Sequence, residues 1–301
     1  MYTRRFDDKF GPDFLQSIPK LPGVYRIYDL FDALIYIGKA KDLRRRLSQY
    51  RNANRLKAHR KMLSIVKDAV RIEVEVLASE SDALIQETLL IQAHRPKWNV
   101  ASAYYFLYPM IGIRQNEESL YLCYTTEPDQ FHKYQFKFYG AFRSRKLTRE
   151  AFFAIHELLG FLLHPIPPKK VLSSLGMEKI DRYSRVLAFR QIDEEIVAGL
   201  QNFLRGEKID SLDSLILALI ENADARNKAQ DIQALFNALK RFYRRESALL
   251  NRSCIRANYL VYPVPQKERD LIFVRSRFSE AGKKACELKA ARRRKSAKID
   301  L

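Results

Sequence analysis

The sequence predicts an α+β fold: a small mixed sheet flanked by helices in the amino-terminal third, then a second small sheet and a mainly helical carboxy-terminal region. Three observations carry this. Short β-rich runs punctuated by glycine give way to helical periodicity between Leu21 and Asn99; aromatic, strand-like runs recur between Tyr104 and Phe142; and after Pro168 the apolar residues recur at helical spacing. The expected divisions are 18–100 for the first domain, 101–165 for a bridging sheet and helix, 166–280 for the helical region and 281–301 for a basic tail.

Residues 24–28 and 34–38 are rich in aromatic and β-branched side chains and flank a short Asp-containing connection, which predicts a hairpin. Asp42 is placed to cap a helix whose apolar stripe, Leu43 and Leu47, is surrounded by Arg44, Arg45, Arg46 and Arg51. Ile72, Val74 and Val76 alternate with Arg71, Glu73 and Glu75, the period of a half-buried strand. Ser79 and Asp82 have the spacing of a capping box ahead of Ala83, Leu84, Leu90 and Ile91, and Pro96 stops that helix. The unit closes near Trp98 and Asn99. Beyond it, 119–125 and 134–139 are expected as strands of a sheet bridging two domains, and 147–163 as a helix broken by Pro165, Pro167 and Pro168. Ile192, Ile196, Leu200, Phe203 and Leu204 share one helical face. Leu212, Leu215 and Leu219, followed by Ile232, Leu235, Phe236 and Leu239, predict an antiparallel helical hairpin. Residues 259–264 and 271–274 are expected as a last strand pair. In 283–298, eight Lys or Arg stand against one Glu, a tail that holds phosphates or is simply solvated.

The 301 residues are 47% hydrophobic and carry a net charge of +19, with a pI near 9.8. That composition excludes a wholly disordered chain, and its field favours polyanionic partners, nucleic acid first. The apolar run Leu215 to Ile220 is far too short to span a bilayer, and the first 17 residues mix charges with aromatics, unlike a secretory leader. A cytoplasmic protein without membrane partners is expected. Cys123, Cys254 and Cys286 are far apart and are expected as free thiols.

Tyr25 and Tyr36, on neighbouring strands of a hairpin, can turn their hydroxyls to one side, toward which Arg46 and Tyr50, four residues apart on the next helix, also project. Glu87 falls inside the apolar stripe of its helix, where an unpaired carboxylate is costly, so it needs a cation. An arginine such as Arg46 would make this a buried ion pair; a divalent metal would make it functional. Mg²⁺ uses few carboxylates, keeps several waters and takes other ligands from phosphate, so one Glu suffices. Lys39 and Arg46 are placed to stabilise a phenolate, without which tyrosine is a poor base at neutral pH. Between Lys39 and Lys61 there are ten Lys or Arg and one acid, Asp42. Lys39, Lys41, Arg44, Arg45, Arg51, Arg55, Lys57 and Lys61 are the expected DNA contacts, with a steep salt dependence. His59, His94, His132, His156 and His164 have no ligand spacing.

Gly23-Val24-Tyr25, ten residues and Tyr36-Ile37-Gly38, followed by Lys39-Ala40-Lys41-Asp42-Leu43, resemble the motif set of the GIY-YIG nuclease domain. Leu21-Pro22, Ala83 to Glu87 and Pro96 to Val100 bring it close to the amino-terminal endonuclease of the excinuclease subunit UvrC. The resemblance implies a phosphodiesterase with Tyr36 as general base and Tyr25 as the other candidate. It further implies Arg46 on the scissile phosphate, Tyr50 bonded to a phosphate or to Tyr36, and one Mg²⁺ or Mn²⁺ on Glu87 at the leaving 3′ oxygen. Past Asn99 the similarity thins, with Tyr104, Tyr105, Phe106 and Tyr108 in place of the family's short charged segment, and returns in Tyr139-Gly140-Ala141-Phe142 and the helix after Arg143. The family's cysteine cluster is missing, so no iron–sulfur cluster is expected. Phe203-Leu204-Arg205-Gly206 and the next helices look like its partner-binding region, with Lys228-Ala229-Gln230-Asp231-Ile232 in place of the usual signature. The length leaves no room for a second nuclease domain and is similar to the short, Cho-type excinucleases. The expected activity is nicking of damaged double-stranded DNA on the 3′ side of a lesion, in nucleotide excision repair, with a UvrA–UvrB complex as partner. The alternatives are an inactive DNA-binding protein and a GIY-YIG nuclease acting on branched or phage DNA.

Overall fold

The computed structural model describes residues 5–280 apart from 55, 57–58, 101–102 and 191–192. The chain divides into two compact units, the first ending at Tyr105 and the second beginning at Phe106. In the first, helices α1 (Arg5–Phe10) and α2 (Phe14–Ser17) precede strands β1 (Gly23–Tyr28) and β2 (Leu34–Ala40). Helices α3 (Leu43–Arg51) and α4 (Arg60–Asp68), strand β3 (Arg71–Val76) and helix α5 (Glu80–His94) follow. The three strands are antiparallel in the order β2-β1-β3. Both expected caps form: the Asp42 side chain accepts from the Arg45 amide and that of Ser79 from the Asp82 amide.

One core joins β1 to α3 and α4 through Tyr25, Ile27, Leu43, Leu47, Ile65 and Val66. The segment 5–17, ahead of the expected boundary, enters this core with Phe6 and Leu15. Phe6, Phe10 and Phe14 stack on one another with centroids 4.8 to 6.0 Å apart. Lys9 Nζ donates to the carbonyls of Lys67 and Ala69, both at 2.7 Å, where α4 ends and its last carbonyls need donors.

The second unit has a five-stranded sheet, ordered β6-β4-β5-β8-β7. Its strands are β4 (Met110–Gln115), β5 (Ser119–Thr125), β6 (Lys137–Tyr139), β7 (His164–Pro165) and β8 (Arg185–Arg190), every pair antiparallel. The helices are α6 (Arg145–Gly160), α7 (Pro168–Leu175), α8 (Glu194–Arg205), α9 (Asp213–Glu221), α10 (Ala223–Asn227), α11 (Ala229–Phe242), α12 (Ala248–Arg256) and α13 (Arg269–Phe278). Sheet residues Ile111, Leu122 and Phe189 share one core with Phe152 and Leu158 of α6 and with Phe203, Leu215 and Phe242, so the sheet and the helical region pack as a single body. A π turn, Tyr243–Ser247, joins α11 to α12, and in it the buried Glu246 accepts from the amides of Arg143 at 2.7 Å and Ser144 at 3.2 Å. Those two hydrogen bonds fix where α6 starts.

Three expectations are corrected here. The strand over 134–139 shortens to β6, because Pro128–Tyr134 is a 3₁₀ turn closed by Gln135 at a φ of 56°. The last strand pair is absent: 271–274 lies inside α13, and 259–264 is irregular, with Pro263 and Pro265 unable to donate to a ladder. The hairpin of α9 and α11 does not form, since α9 packs on α8 and α10 while α11 packs on α6. Ile192, Cys286 and the basic run 283–298 lie outside the described residues; Cys123 and Cys254 are unbridged.

Candidate active site

The register of the hairpin sets the site. Tyr25 lies opposite Gly38 and Ile27 opposite Tyr36, so the two tyrosines share a sheet face on adjacent strands. The Tyr25 ring lies across Gly38: a Cβ at that position would sit 2.3 Å from the phenol oxygen and 2.4 Å from the ring carbon bearing it. This close approach is why glycine ends the second motif tripeptide. Gly23 has a similar reason, as its Cβ would lie 2.1 Å from the Glu75 carbonyl oxygen on β3.

On that face α3 presents Arg46 and Tyr50. Arg46 Nε donates to the Tyr25 hydroxyl at 3.1 Å, and the Tyr25 and Tyr50 hydroxyls share a hydrogen bond at 3.1 Å. Arg46 Nη1 donates to Gln49 at 2.6 Å. The three tyrosine rings form a triangle with centroids 5.9 to 6.4 Å apart. Tyr25 and Tyr50 are buried, which pushes both phenols well above the ordinary tyrosine range. Burial is the leading cause in each; the proximity of Tyr36 adds to it in both, while at Tyr25 the Arg46 charge and the hydrogen bonds with Tyr50 and Arg46 oppose it. Tyr36 is half-buried, and the Lys61 ammonium stands 5.1 Å from its ring centroid.

Glu87 reaches this face from α5. Its Oε1 accepts from the backbone N–H of Lys39 at 3.0 Å. Arg46, the partner an ion pair would have used, is engaged instead by Tyr25 and Gln49. Burial raises the Glu87 pKa, opposed first by the Lys39 amide and then by the charges of Lys39, Arg46 and Lys61. Tyr25, Tyr36, Arg46 and Glu87 all line one cleft of about 370 Å³. A half-buried carboxylate facing such a cleft suits a hard cation that completes its shell with water and phosphate. Among the described residues no three His, Cys, Asp or Glu gather around a metal position.

The expected basic contacts separate into groups. Lys41 and Arg45 are exposed at the cleft, and Lys39 lines it. The Lys39 ammonium pairs with Glu80 at 2.7 Å, so the cation beside Tyr36 is Lys61 rather than the expected Lys39. Arg44 and Arg51 both hold the amino-terminal segment. Arg44 donates to the carbonyls of Ile18 at 2.7 Å and Gln16 at 2.8 Å, and Arg51 pairs with Asp7 at 2.7 Å. Arg55 and Lys57 lie outside the described residues. Gln49 and Glu80 also line the cleft and were not foreseen. Spacing could have found them, since Gln49 is three residues after Arg46 and Glu80 is two turns before Glu87 on the same helix face.

Residues 21–100 match the model of the UvrC-like GIY-YIG domain. The UvrABC system protein C of Photorhabdus laumondii is 33% identical over 156 residues, which cover 52% of this chain and 24% of that protein. The protein of the same description from Shewanella pealeana is 47% identical over 94 residues, 31% of this chain and 15% of that one. The chain thus matches about a quarter or less of the length of these relatives. Among solved structures, the GIY-YIG N-terminal endonuclease domain of UvrC from Thermotoga maritima, bound to magnesium, is 38% identical. The match covers 29% of this chain and 91% of that one, with a TM-score of 0.26. By the family model, residues 21–100 fall in the class of GIY-YIG nuclease domains. Within it they are of the UvrC type.

Proposed function

We propose that the chain is a divalent-metal-dependent endonuclease of nucleotide excision repair that nicks one strand of damaged duplex DNA on the 3′ side of a lesion. The observation that carries the reading is the convergence of Tyr25, Tyr36, Arg46 and Glu87 on a single cleft. Of the phenols, Tyr36 takes the proton of the attacking water. Tyr25 is fully buried and its hydroxyl already serves Arg46 and Tyr50, whereas Tyr36 is half-buried, lines the cleft and has the Lys61 ammonium 5.1 Å from its ring centroid. Tyr25 and Gln49 fix the guanidinium of Arg46, leaving its remaining N–H donors for the scissile phosphate. Tyr50 positions Tyr25. Glu87 is the residue that would hold Mg²⁺ or Mn²⁺, which when bound supplies Lewis-acid stabilisation of the leaving 3′ oxygen. The Lys39 amide keeps the Glu87 carboxylate oriented. Lys41, Arg45 and Lys61 contact the DNA backbone near the cut. Among the described residues no helix is long and apolar enough to cross a membrane, and the reading places the enzyme in the cytoplasm.

The test is the position of the cut on a site-specifically damaged oligonucleotide duplex with Mg²⁺ or Mn²⁺, with and without UvrA and UvrB. The expected result is a single nick 3′ to the lesion that is lost in Glu87→Ala. Full activity of that variant would defeat the site assignment. Indifference to the lesion and to UvrA–UvrB would favour a nuclease outside repair.

A further inference from the structure

The second unit carries a cleft of about 1360 Å³ that the chemistry of the first does not use. Its floor is apolar, built by Tyr124 of β5, Phe153 of α6 and Leu235 of α11. Four exposed arginines stand around it: Arg145 and Arg149, one turn apart on α6, and Arg182 and Arg185, just before and at the start of β8. None of the four has a carboxylate partner among the described residues. Arg182 donates to the Tyr183 hydroxyl and Arg185 to the carbonyls of Arg182 and Ser184. Glu127, Asp129, Glu150 and Glu157 line the cleft too, as does Lys146, but among the described residues none of these acids pairs with the four arginines: Glu150 lies 3.9 Å from both Lys146 and Arg241, Asp129 pairs with His132, and Glu127 accepts from Gln130. Glu157 is two turns further along α6 than Arg149.

Unneutralised guanidiniums around an apolar floor call for an occupant that is anionic along one edge and flat and apolar along the other. Two of the arginines already lie on rings: Arg182 is 4.6 Å from the centroid of Tyr183, which is 55% exposed, and Arg149 is 5.7 Å from that of Phe153. Such pairs form the platforms on which nucleobases stack. A duplex offers a protein its phosphates but keeps its base faces covered; only an unpaired strand offers both. We infer that this cleft binds single-stranded DNA, with phosphates on Arg145, Arg149, Arg182 and Arg185 and bases over Tyr183 and Phe153. The choice of DNA among single-stranded polyanions rests on the nuclease reading of the first unit.

The experiment measures binding of a fluorescein-labelled thymidylate oligomer to the full chain by anisotropy over a range of salt. Arg149→Glu with Arg185→Glu is expected to weaken binding about tenfold or more, and to lower the slope of log affinity against log salt by about 0.7 for each phosphate that the protein no longer neutralises. Tyr183→Ala is expected to weaken it about fivefold or more. All three side chains are at the surface, and a retained melting temperature checks that the fold survives. Unchanged affinity and slope in the double variant would overturn the assignment. So would an acidic, leucine-containing peptide whose binding the double variant abolishes while oligomer binding persists. Binding does not require cleavage, so failure of the cleft and failure of the nuclease reading give different results.

Discussion

Adding one methyl group at Gly38 should disable the site from beneath. In Gly38→Ala the new Cβ would meet the Tyr25 phenol oxygen at 2.3 Å, about 1 Å inside ordinary van der Waals contact. The ring cannot swing freely, because Tyr25 is fully buried against α3 and α4. It must move by something near that shortfall, and its two hydrogen bonds, to Arg46 and Tyr50 at 3.1 Å each, have only a few tenths of an ångström of slack. Overpacking of this kind costs about 1 to 3 kcal/mol. For a unit of roughly 100 residues, a loss near 2 kcal/mol lowers the midpoint by about 10 °C. Displacement of Arg46 by about 1 Å should also reduce nicking on the order of 10²-fold. Calorimetry of the first unit's transition and single-turnover nicking read the two effects. In a Tyr25→Ala background the methyl has room, so the double-mutant cycle should return a coupling of about 1 kcal/mol or more. A Gly38→Ala protein with unchanged midpoint and rate, or additive single effects, would refute the account of the motif glycine.

Glu87→Gln keeps the acceptor for the Lys39 amide but removes the charge, so its two readouts should diverge. Nicking should fall about 10³-fold or more once the carboxylate that holds the metal is gone, whereas metal-free stability near neutral pH should rise. The sign follows from the raised carboxyl pKa: the folded state holds a proton that the unfolded state has released, so stability falls as pH climbs above 4.5 through the folded value. Melting curves without metal should therefore converge at acid pH and separate in favour of the Glu87→Gln protein toward neutrality; a parallel offset at every pH would contradict the raised pKa. Metal affinity of the unaltered protein should increase over the same interval, since the ligand must be deprotonated. Arg44→Ala should destabilise the first unit by about 2 kcal/mol in denaturant titrations and leave the salt slope of DNA binding intact; a slope reduced by about 0.9 would place Arg44 on a phosphate.

What could be read directly from the sequence was whatever local physics decides. The hairpin, the Asp42 and Ser79 caps and the alternating strand over Arg71–Val76 are set by neighbours a few residues apart. The meeting of Tyr25, Arg46 and Tyr50 also follows from short-range rules, pleat period on one element and turn period on the other. The partner of Glu87 was left open because it depends on a contact 48 residues away, with a backbone amide that no side-chain pattern encodes. The role of Arg44 and Arg51 was hidden for a similar reason: a basic helix face looks alike whether it meets phosphate or backbone carbonyls. The run Leu271 to Val274 is apolar without interruption and buried in a helix, a case in which periodicity cannot separate helix from strand.

The outer side of β2 has one more consequence. There the Trp98 amide donates to the Ile35 carbonyl at 3.0 Å, and the Asn99 side chain answers both main-chain groups of Ile37, accepting from its N–H at 2.9 Å and donating to its carbonyl at 2.8 Å. A border strand with open groups invites a stranger's strand to join. Here a carboxamide mimics that visitor and occupies the vacancy, while the opposite border, β3, carries Arg71, Glu73 and Glu75. The small sheet is thus sealed on one flank and electrostatically guarded on the other, which should keep the chain from self-associating through these strands at high concentration.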